Sequence, residues 1–371
     1  MINRTKITSK ITGLVGWENP INPTYAVVDA TNQTSRSGRK FTDNPFVKIE
    51  LLKNTQDYKS ASNAQFNTYL LNAAKTAIIS VGDKVCDKPD FIDRQILYPY
   101  PNNKIDIETP SGFVGYRIQQ SKEKNLAIEI SRVILEFKES CDIKLLLFNT
   151  AKSAPIFSKE IKYTAEVPAD GETPAIPGTD AVTAYFHEEQ LNWVCYNEDI
   201  YKGDYYFGYI ANAAHKPFKR NYENSNVRNS ITFLNITPVQ VLGHNTEVLF
   251  NLSSISNVAE CHGINLDISV YYDYTDSLIQ NQNLLARAIQ LEGQVNALTH
   301  YIATMRSNAD ERKTKEIIGA LLELEGADVE DGPKKVGLKN ELMMEMNRLR
   351  KEINRMNNGY FAHGLELNTL E

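Results

Sequence analysis

The sequence is poor in the residues that advertise chemistry. Only four of its 371 residues are cysteine, and Cys86, Cys141, Cys195 and Cys261 lie far apart. No CxxC redox pair or zinc knuckle can be written from them, and they read as reduced, buried, small apolar side chains. No run approaches the roughly 20 apolar residues a membrane-spanning helix requires. The opening Met1-Ile-Asn-Arg-Thr-Lys-Ile7 has no apolar signal core, which predicts synthesis and retention in a cytoplasm with no membrane partner. Basic residues are not in excess: 40 Lys and Arg against 46 Asp and Glu give a formal net charge of -6. A broad phosphate-binding surface needs clustered cations, so direct, sequence-specific nucleic-acid binding is not expected. P-loop, dinucleotide glycine fingerprint, nucleophile elbow and paired-histidine zinc helix are all missing, and with them any predicted catalytic residue, cofactor or metal. What remains, 42% hydrophobic and 23% charged residues, is ordinary for a soluble globular chain of two or three domains.

Local patterns divide the chain into three regions and predict an α+β multidomain fold. Residues 1–100 form an N-terminal arm and helical region. Gly13-Leu-Val-Gly-Trp17 and Asn19-Pro-Ile-Asn-Pro23 read as an extended arm. Val15 and Trp17 need cover, from an intramolecular groove or from a neighbouring subunit. Phe66, Leu70, Ala73, Ala74, Ala77, Ile78 and Val81 recur at helical spacing, with Ser60 or Ser62 as cap and Gly82 at a left-handed stop. Residues 101–275 change to period two, with strands expected over 128–135, 143–148, 156–163, 205–210, 231–236, 248–252 and 264–272. No long helical pattern intervenes, so an antiparallel, jelly-roll-like β-sandwich is expected. It is interrupted by an exposed Pro/Gly/Ala-rich insertion at 165–184. Residues 276–371 read as a helical oligomerisation region beginning at a cap, Asp276. Its last helix carries a heptad seam of Leu342, Met346, Leu349, Ile353 and Met356. Such a seam needs a partner, either this chain's own helices or a coiled coil with other subunits; the second is the expectation.

The constellations that resemble active sites are weak. His187, Glu188 and Glu189 precede Trp193 and Cys195, and His262 follows Cys261, but neighbours on a strand point to opposite faces. His215, His244, His300 and His363 lack metal-ligand spacing. The aromatic run from Tyr201 to Tyr209 is more suggestive. Alternation places Tyr205, Phe207 and Tyr209 on one face and Tyr206 with Gly208 on the other. If exposed, Tyr206 and Tyr209 would suit stacking on sugar rings; otherwise the strand is core.

Several segments together resemble a known family. Gly13-Leu-Val-Gly-Trp17, Phe91-Ile-Asp-Arg-Gln-Ile-Leu-Tyr98, Phe113-Val-Gly-Tyr116, Leu145-Leu-Leu-Phe148, Trp193 and Gly203-Asp-Tyr-Tyr-Phe-Gly-Tyr209 look like segments of virion structural proteins from crAss-like and related tailed phages of gut Bacteroidetes. The resemblance implies a non-enzymatic tail, tail-hub or neck connector component, located in the virion. Its expected partners are itself, as a symmetric homo-oligomer, and other virion proteins. These are packing motifs, and they bring no catalytic residues with them. Val15, Trp17 and the Leu342 to Met356 seam are the expected subunit interface. A carbohydrate-binding or host-adhesion sandwich using Tyr206 and Tyr209 is the alternative.

Overall fold

The computed structural model describes residues 1–20, 27–86, 91–98, 105–120, 126–164, 187–196, 203–221, 231–305, 311–327 and 335–362. The expected insertion at 165–184, Tyr201 and His363 lie outside them. The fold is α+β, with eight α-helices among the described residues and antiparallel sheets. The three expected regions become two compact units. Met1–Pro89 and Tyr274–Glu371 form one, and Asp90–Asp273 forms the other. The boundaries at 100 and 275 therefore shift: the segment from Phe91 belongs with the strands, and the N- and C-terminal helical regions are a single body.

The helical unit contains α1 (Arg4–Ile11), α2 (Ala30–Gln33), α3 (Ile49–Lys53), α4 (Asn63–Val85), α5 (Thr275–Gln280), α6 (Gln282–Met305), α7 (Glu311–Glu325) and α8 (Leu338–Ala362). Ser62 caps α4 in a reciprocal box with Gln65, the Ser62 hydroxyl accepting from the Gln65 amide and the Gln65 side chain from the Ser62 amide. Gly82 is not the stop. The helix continues to Val85, and a Cβ at Gly82 would lie 2.8 Å from Ile2 Cδ1, so this glycine serves the close approach of the N-terminus. Asp276 is not a cap either; it lies in the first turn of α5 and pairs with Lys6 at 2.7 Å.

Helix α6 is the hub, packed against α4, α7, α8 and a 3-10 turn at Phe41–Asp43. Gln290 donates to Lys40 O and Asp43, and Gln294 donates to Phe41 O. Gly293 leaves the space that the Phe41 ring fills. The buried Glu292 carboxylate accepts from Ser80 and Lys84 on α4, at 2.6 and 2.7 Å. The segments from the two chain ends are thus joined by paired polar groups as well as by apolar packing.

The second unit holds thirteen strands among the described residues: β1 (Phe91–Ile96), β2 (Ile105–Asp106), β3 (Gly112–Gln120), β4 (Leu126–Leu135), β5 (Cys141–Asn149), β6 (Phe157–Tyr163), β7 (His187–Tyr196), β8 (Tyr205–Ala211), β9 (Phe218–Asn221), β10 (Leu234–Leu242), β11 (Ser256–Asn257), β12 (Glu260–His262) and β13 (Ile264–Tyr272). A four-stranded sheet runs β1-β13-β4-β7, a six-stranded sheet β11-β10-β3-β8-β5-β6, and a small third sheet β12-β9-β2. Ile128, Ile130 and Val270 from the first sheet share one core with Val114, Leu145 and Phe207 from the second. The Trp193 ring lies between Phe157, stacked at 5.4 Å, and Phe207, at 5.8 Å. Two antiparallel sheets facing across such a core make a sandwich.

One expected strand is absent. Val248 to Leu252 is loop entering a short 3-10 turn at Leu252–Ser254. Its Phe250 packs with Phe113, Leu146, Phe148, Tyr206, Val239 and Val241 on the face of the six-stranded sheet away from the shared core. Both faces of that sheet are thereby covered, which explains the near-continuous apolar character of Leu145–Phe148. The expected strand at 231–236 starts only at Leu234 and runs on to Leu242.

Candidate functional site

Strand β8 lies between β3 and β5, so each of its rings must find cover on one face or the other. Tyr205, Phe207 and Tyr209 enter the shared core, and Tyr206 enters the outer cluster, as alternation predicts. The Tyr209 hydroxyl donates to His262 O at 3.2 Å and Tyr205 donates to Tyr196 O at 3.0 Å. The Tyr206 ring stands edge-on to Phe250, with centroids 5.1 Å apart. Tyr206 is 2% and Tyr209 0% exposed. The expected glycan contact is therefore corrected: neither ring offers a free face, because Phe250 covers one and the opposite sheet the other. Burial raises both phenol pKa values, that of Tyr209 well above its ordinary value. Gly208 faces Gly115 across the β3–β8 pairing, and a Cβ on either would collide with the opposing backbone. Both glycines are fixed by this close approach of strands.

The nucleophile and base types are committed to structure. His187 Nε2 lies 3.1 Å from Glu189 Oε2, and Lys159 pairs with Glu189 Oε1 at 2.5 Å. The Lys159 contact, followed by that of His187, holds Glu189 below the usual carboxylate range. Cys195 points into the core, and burial pushes its thiol up to about 12; Cys141 is pushed up to about 11, by burial and then by Asp142 and Glu139. Neither forms a thiolate near neutrality. His215 Nδ1 accepts from the Asn212 amide at 3.1 Å, which makes Nε2 the donor to Asp142 O at 3.1 Å. His262 is buried, and desolvation lowers its pKa to about 4. It lines an open cleft of about 450 Å³ together with Glu108, Thr109, Gln240 and Glu260. Among the described residues, no group of three or more His, Cys, Asp or Glu side chains is arranged to hold a metal ion. No helix among them is long and apolar enough to cross a membrane.

A line of alternating charges crosses the four-stranded sheet in strand order. Arg94 on β1 makes a two-pronged contact with Asp267 on β13, at 2.9 and 2.7 Å. Arg132 on β4 contacts the same carboxylate at 2.9 Å and reaches Glu188 on β7 at 2.6 Å. Asp267 is fully buried. Burial alone would raise its pKa, but the hydrogen bonds and positive charge of Arg94 and Arg132 outweigh this and lower it. The arrangement ties four strands together, and every charge in it is matched. Sequence reading missed it, because its members are dispersed over Arg94, Arg132, Glu188 and Asp267.

The expected interface residues are largely spent inside the chain. Val15 and Trp17 are buried. Trp17 Nε1 donates to Leu70 O at 3.2 Å, and its ring lies 4.6 Å from Phe41. Gly16 bridges to Lys40, which holds the arm in an intramolecular groove. Leu342, Met346, Leu349 and Ile353 are likewise buried, because α8 packs on α4, α6 and α7 of its own chain. The Met356 side chain lies outside the described ones. The subunit-interface expectation for Val15, Trp17, Leu342, Met346, Leu349 and Ile353 is therefore corrected to internal packing. What stays uncovered on these helices is different: Ile318, Leu321 and Leu322 on α7, and Met343 and Met344 on α8. The signal was present in the sequence as the Ile317-Ile318 and Leu321-Leu322 doublets, which spread apolar side chains beyond a single stripe: Ile317 is half-buried, whereas Ile318, Leu321 and Leu322 are exposed.

No protein-family model, curated protein or solved structure matches the chain.

Proposed function

We propose that this chain is a non-enzymatic structural component of a tailed-phage virion, a subunit of its tail, tail hub or neck connector ring that assembles with copies of itself and with other virion proteins. The observation that carries the assembly part is the uncovered apolar surface of α7 and α8. Ile318, Leu322 and Met343 are 50%, 44% and 57% exposed, although the chain covers its arm, its helical seam and both faces of its larger sheet. Grouped apolar side chains left in water favour association. The virion context comes from the family resemblance, whose segments lie in the arm, in β1, β3, β5 and β8, and at Trp193. The commitment of buried charges, thiols and imidazoles to packing fits a mechanical role. A jelly-roll-like description suits the sandwich, since neighbours such as β3 with β10 and β4 with β13 are distant in sequence. The glycan-binding alternative loses its two contact residues to burial and is not retained.

Two measurements test this reading. Light scattering on the purified full chain should give a mass above the monomer, and mass spectrometry of purified particles from the host that encodes it should find the chain in multiple copies. A strict monomer that is also absent from particles refutes it.

A further inference from the structure

The cleft of about 450 Å³ beside β12 gathers polar groups that the chain does not pair. His262, the last residue of β12, is only 6% exposed, yet neither nitrogen of its ring has a hydrogen-bond partner among the described residues. A buried polar group in that state normally has a partner to come. Its main chain is fixed on both sides: the His262 carbonyl accepts from the Tyr209 hydroxyl at 3.2 Å, and Gly263 N donates to Phe218 O at 3.0 Å. Gly263 turns the chain at φ +66, where a Cβ would lie 2.6 Å from Glu136 O. The imidazole is therefore held at the cleft wall.

Other strands and loops complete the cleft. Glu108 comes from the loop between β2 and β3, Gln240 from β10 and Glu260 from β12. The Thr109 hydroxyl donates to His215 O at 2.6 Å, which anchors the loop and spends the hydroxyl proton. Val258 N donates to Pro238 O at 3.1 Å, and Val258 with Pro110 supplies apolar wall. Glu108 and Gln240 make no side-chain hydrogen bond or ion pair among the described residues. Glu260 is engaged within the chain, and it also acts on the His262 ring as a nearby negative charge.

This set accepts more readily than it donates. Carboxylates near neutrality only accept, and so does a hydroxyl whose proton is spent. Burial lowers the His262 pKa to about 4, so the ring is neutral near pH 7, keeps one accepting nitrogen and does not repel a cation. Donation is left to Gln240 and a single ring N–H. An anion would meet two carboxylates here, and a metal ion would lack a donor set of three. We propose that this cleft binds an alkylammonium or guanidinium cation, its N–H groups directed to Glu108 and His262 and its aliphatic stem against Val258 and Pro110. Charge-assisted hydrogen bonds are the strong ones in such a site. The same chemistry is carried by a free amine and by a Lys or Arg side chain of another protein. The site is independent of the assembly reading above.

Nuclear magnetic resonance of the full chain with labelled histidine rings tests this, the His262 signal being assigned by its loss in His262→Gln. Butylguanidinium should move that signal saturably, in the millimolar range expected of so small a ligand. Tetramethylammonium, equal in charge but without N–H, should move it far less. Glu108→Gln, at an exposed loop position, should weaken butylguanidinium binding about tenfold with an unchanged unfolding transition. An arginine-containing tripeptide that binds more tightly than butylguanidinium assigns the site to a protein side chain; weaker binding assigns it to a free amine. A His262 signal that ignores butylguanidinium overturns the proposal, as does one that responds equally to tetramethylammonium. Glu108→Gln without effect on the affinity overturns it too, and so does a response to inorganic phosphate or zinc in place of the cation.

Discussion

Replacing Phe250 by alanine tests whether the loop after β10 is an integral cover for β8. Phe250 is buried, with ring centroids 4.8 Å from Phe113, 5.1 Å from Tyr206 and 6.0 Å from Phe148. Truncating a buried phenylalanine costs about 3–5 kcal/mol, with lower values where the surroundings can collapse. A loop relaxes more readily than a strand, which argues for the low end. Against that, ring contacts with Phe113, Phe148, Tyr206 and His244 are lost, and an aromatic pair contributes about 0.5–1.5 kcal/mol beyond its buried area. The expected loss is therefore about 3–4 kcal/mol. At about 2–4 °C per kcal/mol for a unit of this length, the sandwich transition should fall by roughly 6–16 °C. The chain supplies its own reporters, because its two tryptophans are divided between the units: Trp17 in the helical body and Trp193 in the sandwich. In a Trp17→Phe background, fluorescence follows the sandwich alone, and an apolar dye should bind the uncovered sheet face. A loss below about 1 kcal/mol with no dye binding would refute the account. It would mean that the outer face does not depend on this cover, and it would restore Tyr206 as a candidate contact surface.

Four further outcomes follow from the packing. Leu349→Ala, at the centre of the α8 seam, should cost the helical unit about 2–5 kcal/mol without changing the assembled mass measured by light scattering. Gly293→Ala should destabilise the same unit by about 1–3 kcal/mol, as read from helical circular dichroism on heating, because the new methyl meets the Phe41 ring rather than a movable chain end. Asp267→Asn should cost about 2–3 kcal/mol in denaturant unfolding. That is below the full penalty for a broken buried pair, because Arg94 and Arg132 retain solvent access. His262 gives a pH dependence: its folded pKa of about 4 lies below its ordinary 6.5, so the unfolded chain takes up the proton first. Its contribution is complete above pH 6.5 and declines as pH falls toward 4, by about 1.4 kcal/mol per pH unit at most. His262→Gln should flatten that part of the stability profile measured by Trp193 fluorescence.

Much of the secondary structure was readable because it is local. Ser62 and Gln65 cap α4 within four residues, and the alternation in β5, β8 and β13 is visible residue by residue. The burial of those elements was not readable. The alternation of Tyr205 to Tyr209 is the same whether Tyr206 faces water or Phe250, and Phe250 lies more than forty residues away in a stretch that itself resembles a strand. The charge line from Arg94 to Glu188 is opaque for a similar reason: pairing β1 with β13 and β4 with β7 brings together residues that no local window contains.

The helical ends show why a seam does not identify its partner. Leu342, Met346, Leu349 and Ile353 have the spacing of a coiled coil, but spacing specifies only that one stripe of α8 must be buried. The chain supplies other stripes for it: Phe66, Leu70, Ala77 and Val81 on α4, and Leu285, Ile289 and Leu298 on α6. Three amphipathic helices can satisfy one another, and a contact within one chain avoids the translational and rotational entropy that association costs. The arm follows the same logic, with Trp17 set against Phe41 and Leu70 O. A surface left for a second copy is then the one the internal packing could not cover, which is the outward stripe of α7.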